Sequence, residues 1–280
     1  MRHFVHLIVV SFVIILFAPS LSFADSETLI KKAEHADKSR YEYALKNGAS
    51  IVHTKDNKSF YLLWRPEGIE PKSYIVTIHG HGSYAFDEFY LWHGYAKKYG
   101  YGIIALQWWF GEGDMTEDYY SPFAMYPIIE DTLRQLHTPQ GKVLLHGFSR
   151  GSANIYALTA LDRNKGGKFF GMTIANAGGA SKDYPPNYDI SHGSFGQTPF
   201  EGTHWILFAG GKDEHPERDG IPAMTRSKEW IESLGGKIDL FMADREADHG
   251  GFHQNKKNTE QALELFDTLI IKTMPKPKTL

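Results

Sequence analysis

Residues 147 to 151 read Gly-Phe-Ser-Arg-Gly, a G-x-S-x-G spacing that sets a hydroxyl between two positions without side chains. In a chain with 27 glycines such a pentapeptide also arises by chance, so its chemistry must be read from what surrounds it. A serine hydroxyl is a weak nucleophile until a base takes its proton, and the base needs a carboxylate to fix its tautomer and balance its charge. Downstream, "AGGKDEH" offers Asp213, with Glu214 beside it as the alternative, and "DREADHGGFH" offers His249 and His253. We assign Ser149 as nucleophile, His249 as base and Asp213 as its acid partner; two glycines after His249 free the backbone to place its ring. His253 reads as a helix-start or surface residue. Attack on a carbonyl also needs donors for the oxygen that becomes negative. The backbone N–H of Arg150 is one, and glycines at 80 and 82 in "TIHGHGSYAF" make the N–H of His81 the other, with Gly82 as the alternative.

Two further features bear on the chemistry. His79 and His81 stand at alternate positions and could chelate a metal, but no acidic or cysteine ligand accompanies them at recognisable spacing. Neither a metal nor a cofactor is expected. Aromatic residues crowd two long connections, and Trp108 and Trp109 are the candidates for substrate contact, one facing a pocket while the other faces the core. An apolar pocket with few polar groups would suit an aromatic or sugar-linked ester. The Arg150 cation opposes a helix dipole at its N-terminus, so its side chain is expected to find a carboxylate, Glu112 or Asp114.

These residues need strands to carry them. Eight short apolar or alternating runs read as strands: "SIVHT", "SFYLLW", "SYIVTI", "YGIIALQ", "KVLLHG", "FFGMTIAN", "HWILFAG" and "KIDLFMA". Helical spacing follows in "FDEFYLWHGYAKKYG", "YPIIEDTLRQLHT", "GSANIYALTALDR", "IPAMTRSKEWIESLGG" and "NTEQALELFDTLIIKT". One more helix, with Ser26 as N-cap and Gly48 as stop, precedes the first strand. From about residue 73 strand and helix alternate, which predicts a mostly parallel sheet with helices on both faces; the first two strands form an antiparallel hairpin. "KVLLHG" then delivers Ser149 on a strand and "GSANIYALTAL" carries the chain away as a helix. That order holds a serine out of the sheet at a helix N-terminus.

Composition excludes several classes. With 280 residues, 42% hydrophobic and 22% charged, the chain is an ordinary globular one. A formal charge of −3 offers no footprint for nucleic acid. Residues 1 to 24 carry Arg2, an apolar run from Leu7 to Ala18 and a small-residue end at Ser22-Phe23-Ala24. This is a secretory signal peptide, cleaved after Ala24, with the alternative of a retained anchor; the apolar run is shorter than the roughly 20 residues that span a bilayer. A secreted or periplasmic protein without stable membrane insertion is expected. Having no cysteine, it takes its stability from its core rather than from disulfides. Residues 25 to 274 read as a single domain and 275 to 280 as a loose tail.

Taken together, "HGHG" at 79 to 82, "GFSRG" at 147 to 151, Asp213 and "DHGGF" at 248 to 252 resemble the α/β-hydrolase superfamily across the whole mature chain. Within it the chain is similar to compact secreted esterases of the feruloyl-esterase, polyester-depolymerase and dienelactone-hydrolase-like kind. It departs from the polyester depolymerases in lacking a cysteine beside the oxyanion site, and it lacks a large helical cap. The resemblance implies a serine carboxylic ester hydrolase working through an acyl-enzyme on a small or polymer-linked ester. The alternatives are a serine peptidase of the same fold and a non-catalytic binding protein on a hydrolase scaffold.

Overall fold

The computed structural model describes residues 25–272. The expected signal peptide and the tail from 275 lie outside the described residues. In chain order the elements are α1 (Ser26–Ala36), α2 (Lys38–Lys46), β1 (Ser50–His53), β2 (Phe60–Trp64), β3 (Ser73–Ile78), α3 (Ala85–Tyr99), β4 (Tyr101–Leu106), α4 (Pro122–Gln135), β5 (Val143–Phe148), α5 (Arg150–Asn164), β6 (Phe170–Asn176), α6 (Pro185–Ser191), β7 (His204–Gly210), α7 (Ile221–Ser233), β8 (Lys237–Asp244), α8 (Gly251–Gln254) and α9 (Lys256–Lys272). All eight predicted strands form and lie in one sheet of order β1-β2-β4-β3-β5-β6-β7-β8. β1 and β2 are antiparallel, as is β2 to β4; every pairing from β4 to β8 is parallel.

Period-two alternation divides the side chains between two apolar layers. Val76 and Ile78 of β3 and Val143 and Leu145 of β5 enter one layer with Met125, Ile129, Ile155 and Met224 from α4, α5 and α7. Ile75 and Leu144, their neighbours in sequence, enter the other with Leu29, Phe89, Trp92, Phe252 and Phe266 from α1, α3, α8 and α9. Buried on both faces, the central strands are continuously apolar, which is why they stand out in the sequence.

Three helical expectations change. The N-terminal helix is two helices, because Asp37 ends one through its N–H to the Ala33 carbonyl and starts the next by accepting from the Arg40 N–H. Its N-cap is Asp25, not Ser26; the Ser26 hydroxyl is buried against His53 Nδ1 and Asn57 Oδ1, both at 2.6 Å. α4 begins a turn earlier than the periodicity indicates, with Ser121 as N-cap and Pro122 at its first position; Pro127 lies inside the helix. The segment joining β6 to β7 holds only the seven-residue α6 and no cap domain.

Candidate active site

β5 ends at Phe148 and α5 begins at Arg150, leaving Ser149 alone at the corner with φ 53° and ψ −120°. The turn is this tight because its two glycines touch backbone. A Cβ on Gly147 would stand 2.7 Å from the Gly151 carbonyl oxygen, and one on Gly151 would stand 2.6 Å from that of His79. Ser149 is fixed by its N–H to the Asn176 carbonyl at 2.8 Å, at the end of β6. The Arg150 N–H is among the first of α5, which have no acceptor within the helix.

Asp213 follows β7 and His249 follows β8, and the structure brings them together: His249 Nδ1 donates to Asp213 Oδ2 at 2.6 Å. Asp213 is buried, and its Oδ1 accepts from the His215 N–H at 2.8 Å. The two turns are joined directly, Gly211 N–H to the Asp244 carbonyl at 2.8 Å and Lys212 N–H to the Ala247 carbonyl at 2.9 Å. With Nδ1–H committed to the carboxylate, Nε2 is left as the proton acceptor. The His249 ring packs on Phe148, next to Ser149, with centroids 5.0 Å apart. Among the described residues no partner lies within hydrogen-bonding distance of Ser149 Oγ; such contacts tighten when substrate binds. Glu214, the alternative acid, forms no hydrogen bond or ion pair with His249.

The 79–82 loop lies against the corner: a Cβ on Gly80 would stand 3.3 Å from that of Ser149. His79 braces this loop. Fully buried, it is held neutral by desolvation, with Nδ1–H to the Gly80 carbonyl at 2.7 Å, and its own carbonyl accepts from Trp108 Nε1 at 2.8 Å. His81 is exposed at the cavity rim and bonds through Nδ1 to the Tyr119 hydroxyl. The two imidazoles therefore serve separate contacts and do not converge on a common point.

In front of Ser149 opens a cavity of about 490 Å³, walled by Trp108, Tyr119, Tyr120, Tyr184 and Asp219. Trp108 is 2% exposed and contributes to its lining. Trp109 is not among the lining residues; it packs on Tyr84 and Tyr119, and its Nε1 donates to the Gly113 carbonyl. A more open depression of about 540 Å³ between β8 and α9, lined by His204, Lys237 and Asp239, contains none of Ser149, Asp213 and His249.

Arg150 ties the aromatic loop to the corner, but not through a carboxylate. Its Nη1 donates to the Tyr119 hydroxyl and Nη2 to the Asp114 carbonyl, both at 2.8 Å, and the guanidinium lies 4.5 Å over the Tyr119 ring. Glu112 instead pairs with Lys32 of α1. The correction has a simple cause: a carbonyl and a phenol satisfy a planar cation without neutralising it.

Two residues escaped sequence reading. Asp219, six positions after Asp213, is 4% exposed and stands with Asp213 and His249 so that one polar atom of each lies within 4.8 Å of the others. Burial raises its carboxyl above the ordinary range, against the pull of Arg218. Its neighbour in "PERDG" was the only signal, and a loop Arg-Asp pair carries little information. His253 lies in the short α8, as a helix-start residue would, and is partly exposed, but its ring nitrogens are buried and the ring packs on Trp92, His146 and Phe252.

The architecture matches known structures along nearly its whole length. An esterase from Pyrobaculum calidifontis superposes with a TM-score of 0.58 at 13% identity, over 91% of this chain and 96% of that one. A thermophilic esterase from the planctomycete Thermogutta terrifontis, solved with butyrate bound, gives 0.57 at 17% identity, over 83% and 97%. A fungal esterase from Rhizomucor miehei gives 0.61 at 11%, over 88% and 92%. The chain has the α/β-hydrolase fold. No protein-family model and no curated protein sequence matches it. In an α/β-hydrolase, a serine at the strand-to-helix corner after the central β5, an acid after β7 and a histidine after β8 stand at the sheet's carboxyl edge, where open α/β sheets bind ligands.

Proposed function

We propose that the protein is a serine carboxylic ester hydrolase. The observation that carries this reading is Ser149 at φ 53°, facing the 490 Å³ cavity, beside a His249–Asp213 pair hydrogen-bonded at 2.6 Å. Ser149 Oγ attacks the ester carbonyl as His249 Nε2 takes its proton. Asp213 holds the imidazole in the required tautomer and balances its positive charge. The N–H groups of Arg150 and His81, with Gly82 the alternative to the latter, receive the oxyanion. The tetrahedral intermediate expels the alcohol, protonated by His249, and leaves an acyl-Ser149. Water, deprotonated by His249, then attacks the acyl carbon; the second tetrahedral intermediate expels Ser149 Oγ, to which His249 returns the proton, and the acid is released. The aromatic wall of Trp108, Tyr119, Tyr120 and Tyr184 favours an aromatic or sugar-linked ester, small or attached to a polymer. With residues 1 to 24 as a secretory signal, the reaction takes place outside the cytoplasm.

A panel of chromogenic esters and amides of graded acyl size, run on wild type and Ser149→Ala, tests this. Ester turnover that falls by a factor of about 10⁴ or more in the variant supports it. Turnover that survives the substitution, or amide turnover without ester turnover, rejects it.

A further inference from the structure

On the face of the sheet away from the cavity, three chemistry-bearing side chains meet that the proposed reaction does not use. Glu88 of α3 is 2% exposed, His146 of β5 is fully buried, and His253 of α8 has both ring nitrogens buried. One donor atom from each lies within 4.8 Å of the others. Trp92 and Phe252 pack on both imidazoles.

Hydrogen bonding leaves this cluster incomplete. The Thr77 hydroxyl donates to Glu88 Oε2 and so cannot also donate to His146 Nδ1, which lies 2.9 Å from it. Trp92 Nε1–H points at the same Nδ1 from 3.3 Å, longer than a usual bond of this kind. His146 Nε2 lies 3.2 Å from the Asn176 side-chain amide, whose buried oxygen has no partner of its own; turned to Nε2, that oxygen accepts the ring's proton, and the Nδ1 lone pair then faces Glu88 Oε2 at 3.3 Å. A lone pair facing a carboxylate oxygen is repulsive unless something positive lies between them. His253 has no partner at either ring nitrogen, and burial keeps it neutral, so it too presents an unused lone pair. A buried polar atom without a partner costs about 1–3 kcal/mol. A bare Glu88–His146 ion pair would relieve the first problem and leave His253 as it is.

We propose that Glu88, His146 and His253 bind a structural divalent transition-metal ion, zinc by their donor set. Two imidazoles and a carboxylate are a zinc combination, and donor atoms about 2.0–2.1 Å from a tetrahedral ion stand roughly 3.3 Å apart. Glu88 Oε2 and His146 Nδ1 have that spacing. Two imidazoles on one tetrahedral ion hold their ring centroids roughly 5 Å apart; those of His146 and His253 are 5.2 Å apart at 79°. The fourth position falls to a water molecule. His146 lies three residues before Ser149 and His253 four residues after His249, so the ion would pin the histidine's loop to the strand that carries the serine.

The test uses the mature chain. After purification without chelator, its metal content is measured, the metal is removed with a strong chelator, and zinc is returned. One equivalent of bound metal and a Tm that falls on removal and recovers with zinc are expected. Cobalt in place of zinc should give the intense visible absorption of a tetrahedral site and quench Trp92, whose ring is 5.0 Å from each imidazole. His253→Gln should lose the equivalent and melt like the metal-free wild type; if that variant does not fold, the cobalt spectrum of the wild type decides. Substoichiometric metal after reconstitution with no change in Tm, as a water molecule in the same place would give, overturns the proposal. So does a full equivalent retained by folded His253→Gln.

Discussion

Ser149 stores backbone strain that its neighbours pay for. A residue with a Cβ at φ 53°, ψ −120° costs about 1–3 kcal/mol, whereas glycine enters that region freely. Ser149→Gly is therefore expected to abolish ester turnover and to raise the Tm above that of both wild type and Ser149→Ala, which calorimetry of the three proteins checks. Asp219 makes a different kind of prediction. A carboxyl whose folded pKa is raised favours the fold while protonated, and that contribution is lost as pH rises through the folded value. Burial raises that of Asp219, so its ionised form is carried at a cost at neutral pH. Asp219→Asn should then raise the Tm at neutral pH and change it little near pH 4, as melts at the two pH values would show. Arg218, whose side chain is 67% exposed, loses a partner worth little to it in water.

At the scale of elements, the loop between β4 and α4 is held from two sides. Lys32 of α1 grips Glu112, and Arg150 at the head of α5 grips Asp114 and Tyr119. Arg150→Ala leaves its backbone N–H in place and removes one of the two grips. It should raise KM several-fold more than it lowers kcat and speed proteolytic cleavage between residues 111 and 118; unchanged KM and cleavage would refute the tether. How this loop is held was half legible in the sequence. The misplaced cation at a helix N-terminus pointed to a tether, but a chain cannot reveal that carbonyl and phenol oxygens, rather than Glu112 or Asp114 carboxylates, receive it. The strands were legible because apolar runs buried on both faces leave an unmixed signal. The break at Asp37 was not, because one aspartate serves as both a stop and a cap without disturbing the helical period. That Ser149, Asp213 and His249 each follow the end of a strand could be read from order along the chain. Asp219 and His253 could not, since what distinguishes them is burial supplied by distant segments.

Across the whole molecule, the N-terminus matters more than its distance from Ser149 indicates. Asp25 caps α1, whose Leu29 and Ile30 are buried in the layer shared with α3 and α9. Processing after Ala24 would leave that cap as the new N-terminal residue, so N-terminal sequencing of the exported protein should begin Asp-Ser-Glu. Removal of residues 25–36 should lower the Tm and release the Lys32 grip on the β4–α4 loop. The sheet sets the remaining logic, since the serine's corner, the acid's turn and the histidine's turn leave its same edge from β5, β7 and β8. Of these, the last two are stitched to each other by the Gly211 and Lys212 amides rather than each to its own helix. The link between these two turns therefore does not run through α7, which lies between them in the chain. The walls of the cavity come instead mainly from the loops after β4 and β6, so a change there reshapes the cavity while leaving the Gly211 and Lys212 amide links in place.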